Sequence, residues 1–202
     1  MIFSAKKKQK QSYLNGIRIG LLGLGPRCGT THIAIAISNY LSETEKKKVF
    51  LLENNRQNDI KRLNSMLGAR NPEAPFTFHR VTYVPFCPET SVKPALELEG
   101  DCVVSDFGFD FKKALSQLRL CDIRIIVGTD GLWRINEYEK LKDAGISSNL
   151  TSGWRLFVNL GNVKRMKEKD VFGLEVCCFP FEPDPLYPCE ETISFLREAI
   201  SR

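Results

Sequence analysis

The chain has 202 residues, 43% of them hydrophobic and 26% charged, a balance that excludes wholesale disorder, a fibrous repeat and a membrane bundle. No apolar run approaches the roughly 20 residues that span a bilayer, and the N-terminus reads as carrying no secretory signal, having charge but no apolar core. The net charge of +5 is concentrated in Lys6, Lys7, Lys8 and Lys10, so the remaining body is close to neutral and is not globally basic.

In chain order, residues 1–15 read as a basic flexible tail. A solvated tail is its first reading; an anionic partner, nucleic acid or acidic lipid, is the second and is not favoured. Residues 16–202 read as one domain. Ile17–Leu22 is a buried strand, followed by the glycine loop Gly23–Gly29 and a helix over Thr30–Ser42 with Thr30 or Thr31 as its N-cap. Val49–Leu52 is a second strand that ends at Glu53, and Asn58–Leu67 is a short helix. Phe76–Phe86 alternates and forms one or two edge strands; Pro88–Leu98 is turn and helix. Asp101–Ser105 is a strand that ends at Asp106. Next come a helix over Phe111–Leu120, a strand at Ile123–Val127 and a helix over Leu132–Ala144. Strands at Trp154–Asn159 and Leu174–Phe179 follow, then the proline-rich loop Pro180–Pro188 and a terminal helix, Glu190–Ser201. This alternation predicts a single doubly wound α/β domain, a mostly parallel sheet with helices on both faces. Its functional crevice then lies beyond the C-terminal ends of the strands.

The seven cysteines, Cys28, Cys87, Cys102, Cys121, Cys177, Cys178 and Cys189, are odd in number and contain no C-x-x-C pair. His32 and His79 have no second ligand nearby in sequence, so zinc spacing is missing. Several of these cysteines sit in apolar runs, which places the protein in a reducing, cytoplasmic compartment.

The strongest chemical signal is IRIGLLGLGPRCGTTH, a buried strand running through a glycine loop into a helix. Amides at such a helix start converge on one point and carry partial positive charge, which suits an anion, most often phosphate. Arg27 adds a guanidinium. Two phosphate schemes stay open. A dinucleotide loop needs a third glycine where Cys28 stands, and Glu53, the acidic residue for a ribose, comes about 28 residues past Gly25 where roughly 20 is usual. A P-loop with Gly29 as its last glycine puts Thr30 at the lysine and Thr31 at the Mg²⁺-binding hydroxyl.

The order of segments resembles the ParA/MinD family of deviant P-loop ATPases. Gly25–His32 (GPRCGTTH) is similar to that family's phosphate loop, and Val49–Asp59 (VFLLENNRQND) to its second-strand segment. Cys102–Gly108 (CVVSDFG) resembles its Walker B strand, with Asp106 in the acidic position. Leu156–Val163 (LFVNLGNV) resembles the strand ending in an adenine-facing asparagine, here Asn159, and Phe179–Pro185 the loop after the last strand. The resemblance implies a P-loop NTPase fold that binds ATP or ADP with Mg²⁺, through Gly25, Arg27, Cys28, Gly29, Thr30, Thr31, Glu53, Asp106 and Asn159. The Mg²⁺ partners would be Thr31 and Asp106. It also implies a protein partner, a homodimer across the loop face, and a role in positioning cellular machinery, as in the pilus-positioning proteins of tight-adherence systems. Both family lysines are missing, at Gly25 and at Thr30, and the catalytic aspartate falls on Asn55. Hydrolysis is therefore expected to be very slow or lost, leaving a nucleotide-binding protein or a scaffold that binds none. A slow ATPase using Arg27 and Asp106, and an NAD(P)-binding Rossmann protein, are the alternatives.

Overall fold

A computed structural model describes residues 16–85, 100–143, 153–161 and 176–200. The predicted tail over residues 1–15 and the turn and helix over 88–98 lie outside the described residues. The strands are β1 (Ile17–Gly23), β2 (Val49–Glu53), β3 (Phe76–Phe78), β4 (Val81–Val84), β5 (Cys102–Asp106), β6 (Ile123–Thr129), β7 (Trp154–Asn159) and β8 (Val176–Phe179). The α-helices are α1 (Thr30–Asn39), α2 (Asp59–Met66), α3 (Phe111–Leu118), α4 (Glu139–Asp143) and α5 (Glu190–Ile200). One eight-stranded sheet runs β3-β4-β2-β5-β1-β6-β7-β8. Every neighbouring pair is parallel except the edge hairpin, where Phe76, Thr77 and Phe78 face Tyr83, Thr82 and Val81 antiparallel.

Parallel strands are covered on both faces, which is why these segments read as continuous apolar runs. Alternate residues feed two cores. Ile19, Leu21, Ile125 and Val127 pack with α1 and α5 on one face. Leu22, Ile126, Leu156 and Val158 pack with α3 and α4 on the other. The predicted sheet and its two helical layers are thus present. No helix among the described residues is long and apolar enough to cross a membrane.

Two helices depart from their predicted form. Apolar spacing carries the first helix to Ser42, but α1 ends at Asn39 and passes into a π turn over Tyr40–Thr44. Ser38 Oγ donates to the Ala34 carbonyl at 2.8 Å and Asn39 Nδ2 to the Ile35 carbonyl at 3.0 Å. Such back-bonding competes with the backbone ladder and bends the helix end. The N-cap is Gly29, not Thr30 or Thr31, and no side chain caps the helix. The predicted helix from Leu132 opens as a 3₁₀ segment over Leu132–Tyr138 before α4 begins. In that winding residues three apart eclipse, which stacks Arg134 on Glu137. Trp154 is buried in the core, whereas Trp133 is exposed.

Candidate functional site: the loop after the first strand

The loop Leu24–Gly29 leaves β1 at the centre of the sheet, at the C-terminal edge of the parallel strands. Leu24 N–H still pairs with the Val127 carbonyl of β6 at 2.9 Å, and Gly23 N–H donates to Gly108 at 2.7 Å, so the loop is pinned on both sides. Cys28 and Thr30 turn inward, are buried, and meet at 3.2 Å between Sγ and Oγ1. Thr30, at the lysine position, is therefore packed beneath the loop. Arg27 is exposed with a left-handed φ of 58° and has no bonded partner among the described residues. Gly29 also lies in the left-handed region, with φ 92°. A side chain there would overlap the amide of Asn159, which donates from Nδ2 to the Cys28 carbonyl at 3.2 Å. The end of β7 thereby holds the loop. Among the described residues the amides of Gly25 and Arg27 meet no acceptor.

Beside the loop, Thr31 donates from Oγ1 to Asp106 Oδ2 at 2.6 Å and lies 3.3 Å from Asp59 Oδ2. Asp106 is fully buried, and its Oδ1 accepts the Gly108 amide at 2.9 Å. Burial pushes its carboxyl above the usual range and Asp59 adds to the rise; Thr31, Gly108 and Asn55 oppose it. Asn55 donates from Nδ2 to the Asp106 backbone carbonyl at 3.2 Å and accepts the Gln57 amide at 2.8 Å. Its amide is thus spent on shaping the turn after β2. Among the described residues no three His, Cys, Asp or Glu side chains cluster to hold a metal. The donors at hand, a hydroxyl and carboxylates, are hard oxygens that fit Mg²⁺ shared with a ligand's phosphates and water.

Glu53 is fully buried at the end of β2. Its Oε1 accepts the Asp59 amide at 2.6 Å and the Ile60 amide at 3.3 Å, so it caps α2 from outside the helix. Replacing Glu53 with Ala is expected to cost about 1–2 kcal/mol, as for loss of a helix cap. Urea denaturation would read this as a lower midpoint with an unchanged slope. His32, in the first turn of α1, has its pKa lowered by burial, against the opposing Glu182 backbone bond and the Glu182 and Asp184 charges.

No family model matches the chain, and no curated protein matches it in sequence. Solved structures do match. A plasmid partition protein from Borrelia burgdorferi B31 bound to AMPPNP superposes with a TM-score of 0.63 at 15% identity, covering 91% of this chain and 97% of that one. The MinC:MinD cell division complex of Aquifex aeolicus gives 0.62 at 16% identity, over 92% and 96%. The septum site-determining protein MinD with Mg-ADP from Pyrococcus horikoshii OT3 gives 0.57 at 14% identity, over 92% and 98%. The chain has the ParA/MinD fold.

Against that fold, the site contains residues that sequence reasoning passed over. Asp59 reaches Thr31 from the start of α2. From the segment after β6, Arg134 donates from its guanidinium to the Pro26 carbonyl at 2.7 Å and from Nε to Glu137 Oε2 at 3.0 Å. Lys140 Nζ donates to the Leu24 carbonyl at 2.5 Å. The Glu137 carboxylate occupies the space a side chain at Gly25 would need. Gly25 is where the ParA/MinD resemblance expects a lysine, so in this chain that direction is taken by a carboxylate held by Arg134. The only sequence signal for these contacts is charge at positions 134, 137 and 140, which reads as a solvated helix face.

Proposed function

We propose that this chain binds ATP or ADP with Mg²⁺ at the loop Leu24–Gly29 and acts by positioning a protein partner, with little or no hydrolysis. The observation that carries the reading is the Thr31–Asp106 bond of 2.6 Å directly beside a glycine loop at a helix start. Thr31 and Asp106 would hold Mg²⁺, and the loop amides would hold phosphate. When bound, the ion would neutralise phosphate charge. Thr30 and Asn55, at the family's lysine and aspartate positions, are engaged in holding structure. Thr30 is buried against Cys28, and Asn55 supplies no carboxylate to orient an attacking water, so these two positions provide neither the cation nor the base that speeds phosphoryl transfer.

The NAD(P) alternative is weakened because Glu53, its ribose partner, is buried and engaged with the amides of α2. A partner is supported by the C-terminal edge of the sheet. Phe109, Trp133, Leu160 and Phe181 follow β5, β6, β7 and β8, and are exposed by 40%, 86%, 71% and 73%. Apolar residues gathered on one edge mark an interaction surface. The MinC:MinD neighbour is itself a complex of two proteins. A homodimer is a second use of this edge. Nucleic acid contact through Lys6–Lys10 is a further, less favoured reading. A soluble cytoplasmic location accords with this role.

Thermal unfolding with Mg-ADP, Mg-ATP or NADH tests the reading. A ligand at about 100 times its Kd adds roughly 2.7 kcal/mol, or on the order of 5–10 °C for a chain of this size. Stabilisation by adenine nucleotides, with phosphate release near background, is expected. Stabilisation by NADH alone, or by none of the three, overturns it.

A further inference from the structure

We infer that Arg134 and Lys140 are positioning residues that hold the loop carbonyls back and so keep the amides of Gly25 and Arg27 facing the phosphate site. The inference rests on the nucleotide reading above and adds how this chain prepares its loop without loop lysines.

In a trans peptide the carbonyl of one residue and the N–H of the next point in opposite directions. The described chain contains no cis peptide. Lys140 takes the Leu24 carbonyl at 2.5 Å, so the Gly25 amide points away from Lys140. Arg134 takes the Pro26 carbonyl at 2.7 Å, so the Arg27 amide points away from Arg134. Both cations lie on one short segment and grip carbonyls two residues apart. The two amides are thereby fixed on the side of the loop opposite the clasp. Amides aimed the same way from a turn form an anion-binding concavity. Neither amide meets an acceptor among the described residues, so each keeps its donor for a ligand.

Glu137 completes the device. Its carboxylate takes Arg134 Nε at 3.0 Å, and Nη2 is the nitrogen that reaches the Pro26 carbonyl. The pair is mostly buried, with side-chain exposures of 16% and 22%. The 3₁₀ winding supplies the eclipsed spacing of three that this pairing needs. Glu137 also fills the place of a side chain at Gly25, so a lysine at 25 would have to displace the carboxylate that holds Arg134.

The test uses the full chain, isotope-labelled, with Arg134→Met and Lys140→Met singly and together, and Arg134→Lys and Lys140→Arg as conservative variants. Backbone order at Gly25 and Arg27 is followed by ¹⁵N relaxation without ligand, and Mg-ADP affinity is titrated separately. Each Met variant is expected to weaken Mg-ADP about tenfold and to lower the order parameters of the Gly25 and Arg27 amides selectively, since a charge-assisted bond that fixes their peptide planes is lost. The conservative variants are expected to stay within about threefold of wild type, because each keeps one charged donor. A merely structural role would lower the melting temperature and leave both readouts alike across the folded fraction. Met variants with wild-type affinity and unchanged order parameters at both amides overturn the inference. If wild type fails to bind Mg-ADP, the nucleotide reading falls, and the ligand-free relaxation data still decide the clasp: a selective loss of order upholds it and unchanged order overturns it.

Discussion

Gly29→Ala is expected to lower stability by about 3 kcal/mol. Two independent costs add at this residue. The first is conformational: φ is 92°, and an alanine in the left-handed region costs roughly 1–2 kcal/mol relative to glycine. The second is steric. An added methyl would overlap the Asn159 amide, which must then release the Cys28 carbonyl it holds at 3.2 Å. A lost hydrogen bond of this kind is worth about 1 kcal/mol, and pushing Asn159 aside adds to it. The two costs separate in a double variant. Gly29→Ala with Asn159→Ala removes the collision and leaves the backbone term, so it is expected to be less destabilised than the sum of the single variants. Urea melts of all three, compared as a cycle, measure the coupling. Strict additivity would mean that Asn159 and Gly29 do not meet and would discard the steric half of the argument. The same substitution displaces the loop amides, so Mg-ADP stabilisation should be lost with it.

The central strands were legible because burial on both faces writes them as unbroken apolar runs: Ile17–Leu22, Val49–Leu52 and Ile123–Val127 lie in β1, β2 and β6. Asp106 and Asn159 end β5 and β7 at the edge where the loop lies, and Thr31 meets Asp106 across it. The winding of Leu132–Tyr138 was not legible. Its form goes with contacts from Arg134 to a carbonyl 108 residues earlier in the chain, and local propensity carries no trace of such a partner. The same blindness hid Glu137 and Lys140. Glu53 showed a different limit: its place at the end of a strand was readable, but its burial and its bond to the α2 amides depend on how the next turn folds back. Asp59 was hidden for that reason too, since the turn that caps α2 on Glu53 is what brings it to Thr31.

The absent lysines and the raised carboxyl of Asp106 combine in a second large effect, on Asp106→Asn. Burial is the main reason this carboxyl sits above its ordinary range, with Asp59 reinforcing it. A carboxyl whose folded pKa is raised binds its proton more tightly in the native state than when unfolded. Its contribution to stability is therefore complete below the unfolded pKa and is lost as pH rises through the folded one. As pH rises without a cation, wild type must either bury a charge or hold a proton that the unfolded chain would release, and both cost stability. Asparagine removes the titration and keeps the bonds: its oxygen accepts the Gly108 amide and its Nδ2 donates to Thr31, whose proton turns to Asp59, 3.3 Å away. The variant is expected to exceed wild type by about 1–2 kcal/mol at pH 8, and this margin is expected to shrink toward pH 4. Mg²⁺ with ADP is expected to reverse the order, because an ion would stabilise the ionised carboxylate only in wild type. The asparagine variant is expected to bind Mg²⁺ about a hundredfold more weakly, the upper range for losing a carboxylate at a metal site. Thermal melts at pH 4, 6 and 8, each with and without Mg-ADP, give the full comparison. A margin that does not change with pH would remove the charge argument, and equal stabilisation of both proteins by Mg-ADP would remove Asp106 from the cation site. Both results together would leave Asp106 a structural carboxylate. A pH-dependent margin that Mg-ADP reverses would mean that this position gives up stability for the ligand.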